Sequence, residues 1–566
     1  MDNRHPSVYL IHPPLWDMYA PPAATASLTA YMRQHDIACR QFDLNQAYFK
    51  SICEEVLHDA LDDACNQTAF QNTLPFEHRV VLTGGEFRPD PLAAVGLTEA
   101  NLTFNDIRSG IDKWDLPGLN VVDALIHYGY FVRQGRALNE LIESEACATN
   151  TVCELTRLFE LHCLREINHE RPSVVGFSIS GSDQLAAAVI CSAKLRREYA
   201  GRIVWGGSLI GNILRKLSTS QDVWWQPLVD QFVLGEGEVA LSELASWSVE
   251  EEASGRRLPD NVIASSDVGR VSVSYGRFEK LDDLEPPSFD GLPIDDGYLM
   301  AQPLLPYQAS RGCYWGLCSF CDHEEGYRTH YREKDATKVA RELTELRHRH
   351  QTGQFQFVDE ALKPDWLSRL VASLASTDPE TRLRWFSYLR IDKALTPALL
   401  RDTYLRGCRL VLYGVETFNR RLMRLMKKGT SPELVERVLK DTHTARLRQA
   451  IWLISGFPTQ TKDELQDDMQ KLSEVSAVID AAFVGPYRLE PNSDIGREPS
   501  HFGVVSCDTD DRCRFVSRLN ERLIDSSDLL KIYSEEYYPL AIRSSLSHNR
   551  YLLFRHALKT EPGTST

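Results

Sequence analysis

Short apolar runs alternate with helical segments in the first part of the chain. Five of these runs are predicted as strands: Ser7–Ile11, Ile37–Phe42, Val174–Ile179, Arg202–Trp205 and Gln231–Leu234. Residues 24–35 and 184–199 lie between them and have the spacing of helices. Strands that alternate with helices predict a parallel sheet with crossover helices, so we expect a Rossmann-like α/β domain here.

A second strand–helix series follows an irregular, proline-containing stretch. Its six predicted strands lie at about 304–310, 354–358, 384–389, 410–415, 449–455 and 481–488. Helices are expected between them, for example at 335–350 and 432–446. Six strand–helix units predict a partial or full parallel barrel, which makes the whole chain α/β.

These patterns divide the chain into four parts. The predicted parts are a Rossmann-like domain at 1–250 with a mainly helical insertion at about 50–165, a linker at 251–300, a partial (β/α)6 barrel at 301–499 and a helical C-terminal region at 500–566. The insertion and the C-terminal region contain no readable motif, and we expect them to set substrate specificity.

Composition narrows the classes of function. The 566 residues carry a formal net charge of −16, which argues against a protein whose main role is to bind nucleic acid. No run of about 20 apolar residues is present, so no membrane span is predicted. The first residues lack the pattern of a signal peptide. We therefore expect a cytoplasmic protein without a nucleic-acid or membrane partner.

Three of the 13 cysteines, Cys313, Cys318 and Cys321, lie on one loop after a predicted strand. Their spacing is Cys-x4-Cys-x2-Cys. Three thiolates so close together can bind three irons of a [4Fe–4S] cluster and leave the fourth iron open to a small molecule. A zinc site with His323 as the fourth ligand, or buried thiols without a metal, are the alternatives.

The cysteine loop resembles that of the radical S-adenosylmethionine (SAM) superfamily. The usual family pattern has three residues in the first gap and an aromatic residue before the last cysteine, which Phe320 matches. The resemblance implies that the amino and carboxylate groups of SAM chelate the open iron. One electron, supplied by a donor such as flavodoxin or ferredoxin, then releases methionine and a 5′-deoxyadenosyl radical.

Residues at later strand ends continue the resemblance. Asp359 resembles the position that binds the methionine amino group, with Glu360 in reserve. Ser387 and Arg390 are similar to polar positions that face the cofactor, and Glu416 to a position that contacts it or shapes its pocket. Each match alone is weak, because an acidic residue after a strand can also cap a helix. Their order and spacing behind the cysteine loop carry the resemblance.

Small residues follow three predicted strands of the first domain. In open parallel sheets, ligands bind outside the carboxyl ends of the strands. An α/β domain before a radical SAM barrel resembles the cobalamin-binding subclass, which implies a corrinoid at these positions: Ser178, Ser180, Gly206, Gly207, Gly235, Glu236 and Gly237. The cobalt-ligating motif Asp-x-His-x-x-Gly is absent, so a Rossmann-like domain without a ligand is the alternative. A nucleotide is less favoured because Gly-x-Gly-x-x-Gly is missing after the first strand.

Together these features predict a cobalamin-dependent radical SAM methyltransferase. Its substrate would be a natural product or peptide methylated at an unactivated carbon. One alternative is a cobalamin-linked radical rearrangement or cyclisation without methyl transfer. Another, from a different class, is a zinc-stabilised binding protein.

Overall fold

The computed structural model describes residues 7–51 and 150–532, apart from short gaps at 221–222, 248–256, 271–274, 277, 296, 299, 301, 322–329, 379, 381 and 509–512. Three parts of the sequence analysis lie outside these residues: most of the predicted insertion at 50–165, His323, and the end of the predicted C-terminal region. The described chain forms two compact units, and the boundary between Pro306 and Tyr307 falls inside the strand Leu304–Tyr307, which pairs with the sheet of the second unit.

Six strands form the sheet of the first unit, in the order β2-β1-β3-β4-β5-β6. They are β1 (Ser7–His12), β2 (Ala38–Asp43), β3 (Val174–Ser178), β4 (Arg202–Gly206), β5 (Gln231–Val233) and β6 (Val262–Ala264). Pairing is parallel from β2 to β5, which confirms the predicted sheet, and β6 is antiparallel to β5. Strand β6 lies in the stretch predicted as a linker, because three residues are too few to show a periodic pattern.

The helices of the first unit connect these strands. They are α1 (Ala23–Gln34), α2 (Asn150–Phe159), α3 (Arg165–Glu170), α4 (Ser182–Arg196), α5 (Ile210–Ser218) and α6 (Glu238–Ser246), with helical residues also at 44–51 and a π-helical turn at Glu160–Leu164. The strand order reverses at β1, which lies between β2 and β3. A reversal of this kind opens a crevice at the carboxyl ends of the two central strands, here β1 and β3.

The main sheet of the second unit also has six strands, whose order follows the chain. They are β7 (Leu304–Tyr307), β10 (Gln354–Phe357), β11 (Arg384–Leu389), β12 (Cys408–Glu416), β13 (Arg448–Ser455) and β14 (Ala481–Pro486). Pairing is parallel from β10 to β14. All six predicted strands are confirmed, and most of their residues are buried, as expected for a parallel sheet covered by helices.

Helices cover the outer face of this sheet. They are α7 (Ala336–His350), α8 (Pro364–Thr377), α9 (Pro397–Leu405), α10 (Arg420–Leu425), α11 (Pro432–Thr444), α12 (Lys462–Val475) and α13 (Asp494–Arg497). The Tyr413 hydroxyl on β12 lies 2.9 Å from the Thr442 hydroxyl on α11, so Tyr413 faces the helices. Because side chains alternate along a strand, Leu412 and Gly414 face the inner side of the partial barrel. Within the described residues, no helix has the length and apolar character needed to cross a bilayer.

The C-terminal part differs from the predicted helical region. Residues 504–525 form an antiparallel sheet of β15 (Val504–Cys507), β16 (Phe515–Leu519) and β17 (Arg522–Asp525), and α14 (Ser526–Ile532) follows. Leu519 pairs with Arg522, which leaves a two-residue turn at Asn520 and Glu521. Asn520 has a φ of 55°, as tight hairpin turns require. The turn lacks the glycine that usually marks such a hairpin in a sequence.

Candidate functional site

The cysteine loop extends from a short antiparallel pair, β8 (Ser310–Arg311) with β9 (Arg332–Glu333), directly after β7. The thiols of Cys313, Cys318 and Cys321 are all half-buried on this loop. The structure therefore brings the three predicted ligands to the carboxyl end of the first barrel strand. In parallel barrels, this end holds the chemistry.

Burial and nearby charged groups act in opposite directions on the pKa of the Cys318 thiol. Burial raises the pKa of its thiol, while the cations of Lys428 and Arg390 act in the opposite direction. The other two cysteines, Cys321 and Cys313, add to the increase in pKa, so the three sulfurs lie within electrostatic range of one another. A group of thiolates beside two cations suits an anionic iron–sulfur centre better than isolated buried thiols.

The cysteine loop offers three thiol ligands to a metal centre. A cubane cluster binds each thiolate through a different iron, so three cysteines on one loop suit a [4Fe–4S] cluster. Among the described residues, no group of three His, Cys, Asp or Glu side chains forms a site for a single metal ion. The fourth ligand of the zinc alternative, His323, lies outside the described residues.

Trp315 lies in the longer gap between Cys313 and Cys318. Its indole Nε1 donates to the Lys427 carbonyl at 2.8 Å. The Arg390 guanidinium lies 4.4 Å from the Trp315 ring centroid and 5.5 Å from that of Tyr314, and it donates to the Lys428 carbonyl. The longer first gap thus contains an aromatic residue that anchors the loop to the segment after α10.

Ser319 anchors the second half of the loop. Its backbone N–H donates to the Met426 carbonyl at 3.0 Å and its hydroxyl to the Leu425 carbonyl at 2.7 Å. Its own carbonyl accepts from the Ile495 N–H at 3.1 Å. The side chain is fully buried. Sequence reasoning missed Ser319, because a small polar residue between two ligands gives no signal of its distant partners.

Asp359, which was expected to bind the methionine amino group, accepts hydrogen bonds from the start of the cysteine loop. Its carboxylate accepts from the Ala309 N–H at 3.2 Å, and from both the N–H and the hydroxyl of Ser310, the latter at 2.5 Å. Burial raises its pKa to about 7. Both oxygens help to hold the start of the cysteine loop, and the expected contact of Asp359 with the methionine amino group stays a prediction. The neighbouring Glu360, the reserve candidate for that contact, is exposed.

Glu416 forms a buried ion pair at the end of β12. Its Oε1 lies 3.3 Å from Lys428 Nζ, and the two side chains are only 13% and 8% exposed. Lys428 Nζ lies 5.7 Å from the ring centroid of Phe320. Glu416 also has a φ of 67° at an irregularity of the β12–β13 pairing. The structure therefore connects two predicted site residues, Phe320 and Glu416, through a lysine that sequence reasoning missed.

Ser387 and Arg390 lie in different environments. In the strand register Ser387 pairs with Val411, which like Tyr413 faces the helices, and Ser387 is fully buried. Its hydroxyl donates to the Tyr388 carbonyl at 3.1 Å. The structure therefore does not bring Ser387 to the inner face, whereas Arg390 packs against the cysteine loop. The expected role of Ser387 rested on chain position alone, and the alternation of side chains along β11 directs it outward.

An aromatic row lines the inner face one step below the strand ends. Trp452 stacks on Phe483 with ring centroids 4.6 Å apart, and Tyr388 lies 5.7 Å from Trp452 on the other side. Strand β12 lies between the strands of Trp452 and Tyr388. Its residue beside Trp452 in the register is Gly414, which has no side chain to separate the two rings. All three rings are half-buried. This row was missed from the sequence, because each ring lies on a different strand.

In the first unit, Gln184 ties together the loops that follow β1 and β3. Its Oε1 accepts from the Ser180 and Gly181 N–H groups at 2.8 and 3.2 Å, and its Nε2 donates to the Pro13 carbonyl at 2.9 Å. Gln184 is fully buried. This residue shapes the crevice at the strand-order reversal, and no motif in the sequence points to it.

The loops after β3 and β4 interlock through their backbones. The Ile179 N–H donates to the Gly206 carbonyl at 2.7 Å, and the Leu209 N–H donates to the Ile179 carbonyl at 3.1 Å. Gly207 has a φ of 111°, and a Cβ there would lie 2.4 Å from the Ile179 carbonyl oxygen. Glycine at 207 is therefore required for the close approach of these two loops.

Most predicted corrinoid-binding residues share this edge of the sheet. Half-buried positions are Ser178, Ser180, Gly206, Gly207 and Gly237, whereas Gly235 is exposed and Glu236 is buried. His12, at the end of β1, is buried against Gln184, and burial lowers its pKa. The edge thus presents short side chains and backbone, which fits a broad flat ring without a protein ligand to cobalt.

Comparison with known proteins identifies the second unit. The family model of the Radical SAM superfamily matches residues 307–472. The second unit contains a radical SAM domain. The resemblance inferred from the cysteine motif is confirmed for this domain, although its first cysteine gap is one residue longer than usual.

The chain also has relatives among known proteins. An uncharacterized methyltransferase of Pyrococcus horikoshii is 24% identical over 243 residues, which cover 42% of this chain and 52% of that protein.

Two solved structures share the fold. The cobalamin-dependent SAM radical enzyme OxsB, with aqua-cobalamin and SAM bound, matches with a TM-score of 0.54 and 13% identity, over 88% of this chain and 56% of its own. The radical SAM methyltransferase TsrM of Kitasatospora setae, with cobalamin and a [4Fe–4S] cluster bound, matches with a TM-score of 0.52 and 17% identity. The match covers 90% of this chain and 82% of TsrM. The chain thus has the predicted α/β fold and spans about half the length of the first relatives it matches.

Proposed function

We propose that the protein is a cobalamin-dependent radical SAM methyltransferase acting on an unactivated carbon of a natural product or peptide. The observation that carries this proposal is the combination, in one chain, of a cysteine loop in a radical SAM domain with a β2-β1-β3-β4-β5 sheet. The small residues at the ends of β3 and β4 support a corrinoid there. The methyltransferase name of one relative and the bound cofactors of OxsB and TsrM agree with it.

The residues of the radical SAM domain have distinct proposed roles. Cys313, Cys318 and Cys321 would hold the cluster, and Phe320 with Glu416 would border the SAM site. Arg390 carries a cation beside the cysteine loop and would be available to pair with the carboxylate of bound SAM. When bound, the cluster supplies the electron for SAM cleavage and cobalamin carries the methyl group. The chain's task is then to bind each of these groups and to shield it from water.

The crevice of the first unit would hold cobalamin. Ser178, Ser180, Gly206, Gly207 and the Gly235–Gly237 turn border it. Short side chains let the backbone approach a large flat ring closely. His12 is not offered as a cobalt ligand, because it is 5% exposed and its ring contacts Gln184. We propose that the protein works in the cytoplasm, where a flavodoxin or ferredoxin can supply electrons.

Product analysis under anaerobic conditions tests the reaction. The protein reconstituted with iron, sulfide and cobalamin is incubated with SAM, a reductant and candidate substrates. Methyl transfer predicts S-adenosylhomocysteine together with 5′-deoxyadenosine. Formation of 5′-deoxyadenosine alone would instead support the alternative, a cobalamin-linked rearrangement or cyclisation.

Metal analysis of the same preparations tests the cluster. About four irons per chain are expected, and a colourless protein with one zinc would support the binding-protein alternative instead. Replacing Cys318 by Ala should abolish SAM cleavage while the circular dichroism spectrum stays unchanged. Cys408 provides a matched control, because it is a buried thiol at the start of β12. The Cys408→Ala variant should therefore retain the irons.

A further inference from the structure

The segment after β12 concentrates positive charge next to the cysteine loop. Residues 418–429 contain five basic residues and no acidic one, in a chain whose net charge is −16. Four of the five are paired with a carboxylate: Arg420 with Glu433, Arg421 with Glu464, Lys427 with Asp494 and Lys428 with Glu416. The fifth, Arg424, is exposed and has no carboxylate partner among the described residues. Its guanidinium therefore offers an unused positive charge at the surface.

Consecutive lysines show that this segment has two sides. The Lys428 side chain is 8% exposed and points to Glu416 and Phe320, on the side of the proposed SAM site. The Lys427 side chain is 52% exposed and lies on the other side, 2.8 Å from Asp494. Any partner that contacts Lys427 thus approaches the cysteine loop from outside.

A surface cavity of about 440 Å³ lies on this outer side. Its lining combines apolar, basic and acidic groups: Trp315, Leu317, Met423, Arg424, Lys427 and Asp494. Trp, Met and Arg are among the residues enriched at protein–protein interfaces. Leu317 is 57% exposed and directly precedes the proposed cluster ligand Cys318. A partner seated on this cavity would therefore contact the cysteine loop itself.

We infer that this outer surface docks a small acidic protein that donates one electron, such as a flavodoxin. The inference rests on the proposed function, because only a redox cluster on this loop needs such a donor. The donor would lose one electron and the cluster would gain it, with no transfer of a group or proton. Since the chain as a whole is acidic, an acidic donor is repelled from most of its surface. The charge of Arg424 would instead attract the donor to the cavity beside the cysteine loop.

A charge reversal at Arg424 tests the surface. The full-length protein is reconstituted with its cluster, and reduced flavodoxin is the probe. The rate of cluster reduction is measured by stopped-flow absorbance, and the flavodoxin Kd by fluorescence titration. Arg424→Glu should lower the second-order rate constant about tenfold or more and weaken its salt dependence. Leu317→Asn should raise the Kd, because the docked apolar contact is lost.

Two controls separate docking from other effects. Arg341→Glu changes the net charge equally on the exposed face of α7, so it should match the unchanged protein. Dithionite is a small reductant that needs no docking surface, so it should reduce all variants at similar rates. The inference is overturned if Arg424→Glu leaves both the flavodoxin rate and the Kd unchanged, or if Arg341→Glu lowers them equally. A protein that dithionite reduces but that cleaves no SAM would contradict the proposed function instead, and the flavodoxin Kd would still report on the surface.

Discussion

Trp315 occupies the space that a side chain at Gly429 would need. A Cβ on Gly429 would lie 2.2 Å from the Trp315 ring, and Gly429 has a φ of 68°. The Gly429→Ala variant should therefore displace the indole from Lys427 and loosen the cysteine loop. We expect fewer irons per chain after reconstitution, measured by metal analysis. Gly485→Ala is the matched control, because its Cβ would meet no atom within 4 Å. Equal iron content in both variants would show that Trp315 does not anchor the loop.

The buried pair Glu416–Lys428 should be sensitive to removal of one partner. Lys428→Met leaves the Glu416 carboxylate buried without its cation, which typically destabilises a protein by about 3–5 kcal/mol. A double variant that also carries Glu416→Gln should recover part of the lost stability, because the unpaired buried charge is then removed. The free energy of unfolding of the cluster-free protein, measured in urea, checks both steps. The exposed pair of Arg420 and Glu433 is the comparison, and Arg420→Met should change stability little.

The buried carboxyl of Asp468 should make stability depend on pH. It accepts from the Thr417 hydroxyl at 2.7 Å and the Phe418 N–H at 2.6 Å, yet burial dominates and raises its pKa from 3.8 to about 7. Between pH 3.8 and about pH 7, the Asp468 carboxyl is protonated in the folded state and ionised in the unfolded state. The contribution of Asp468 to stability therefore falls as pH rises through this window.

Denaturant unfolding of Asp468→Asn tests that direction. Between about pH 4.5 and about pH 7.5, the unchanged protein should lose more stability than the variant. Part of the pH dependence should remain in the variant, because Asp359 titrates in the same window. Parallel pH profiles of the two proteins would contradict the assigned protonation of Asp468.

Two adjacent glycines at the end of β4 should respond differently to alanine. Gly207→Ala would collide with the Ile179 backbone, so we expect a loss of stability and of cobalamin binding together. At Gly206 the nearest atom to an added Cβ is 3.9 Å away, so Gly206→Ala should fold normally. If a corrinoid approaches this edge, Gly206→Ala should still weaken hydroxocobalamin binding. Spectroscopic titration and thermal melting of both variants measure the two effects.

The barrel and the cysteine ligands were predictable because their signals are local. Each strand of the main sheet is one short continuous segment rich in apolar and aromatic residues, and the three ligands lie within a single loop. Register and alternation were not visible, which is why Ser387 was expected at the site although it faces the helices. The hairpin at Asn520 was missed for a similar reason, since its turn lacks glycine.

The supports of the site could not be predicted because they join distant segments. Trp315 bonds to the carbonyl of Lys427, and Gln184 bonds to the carbonyl of Pro13. No periodicity links such pairs, and each partner residue looks ordinary in its own stretch. The same holds for Asp359, whose carboxylate is used by the backbone of Ala309 and Ser310. Chain position alone could not separate this role from cofactor binding.

The pairing of β1 with β3 has a consequence for how this chain can change over evolution. Val8 pairs with Val174, so this pairing closes the chain over the long stretch between β2 and β3. For a flexible connection, doubling its length costs only about 0.6 kcal/mol of closure entropy. Segments can therefore be inserted or deleted between β2 and β3 while the pairing of β1 with β3 is preserved. New specificities can then arise while the radical SAM domain stays unchanged.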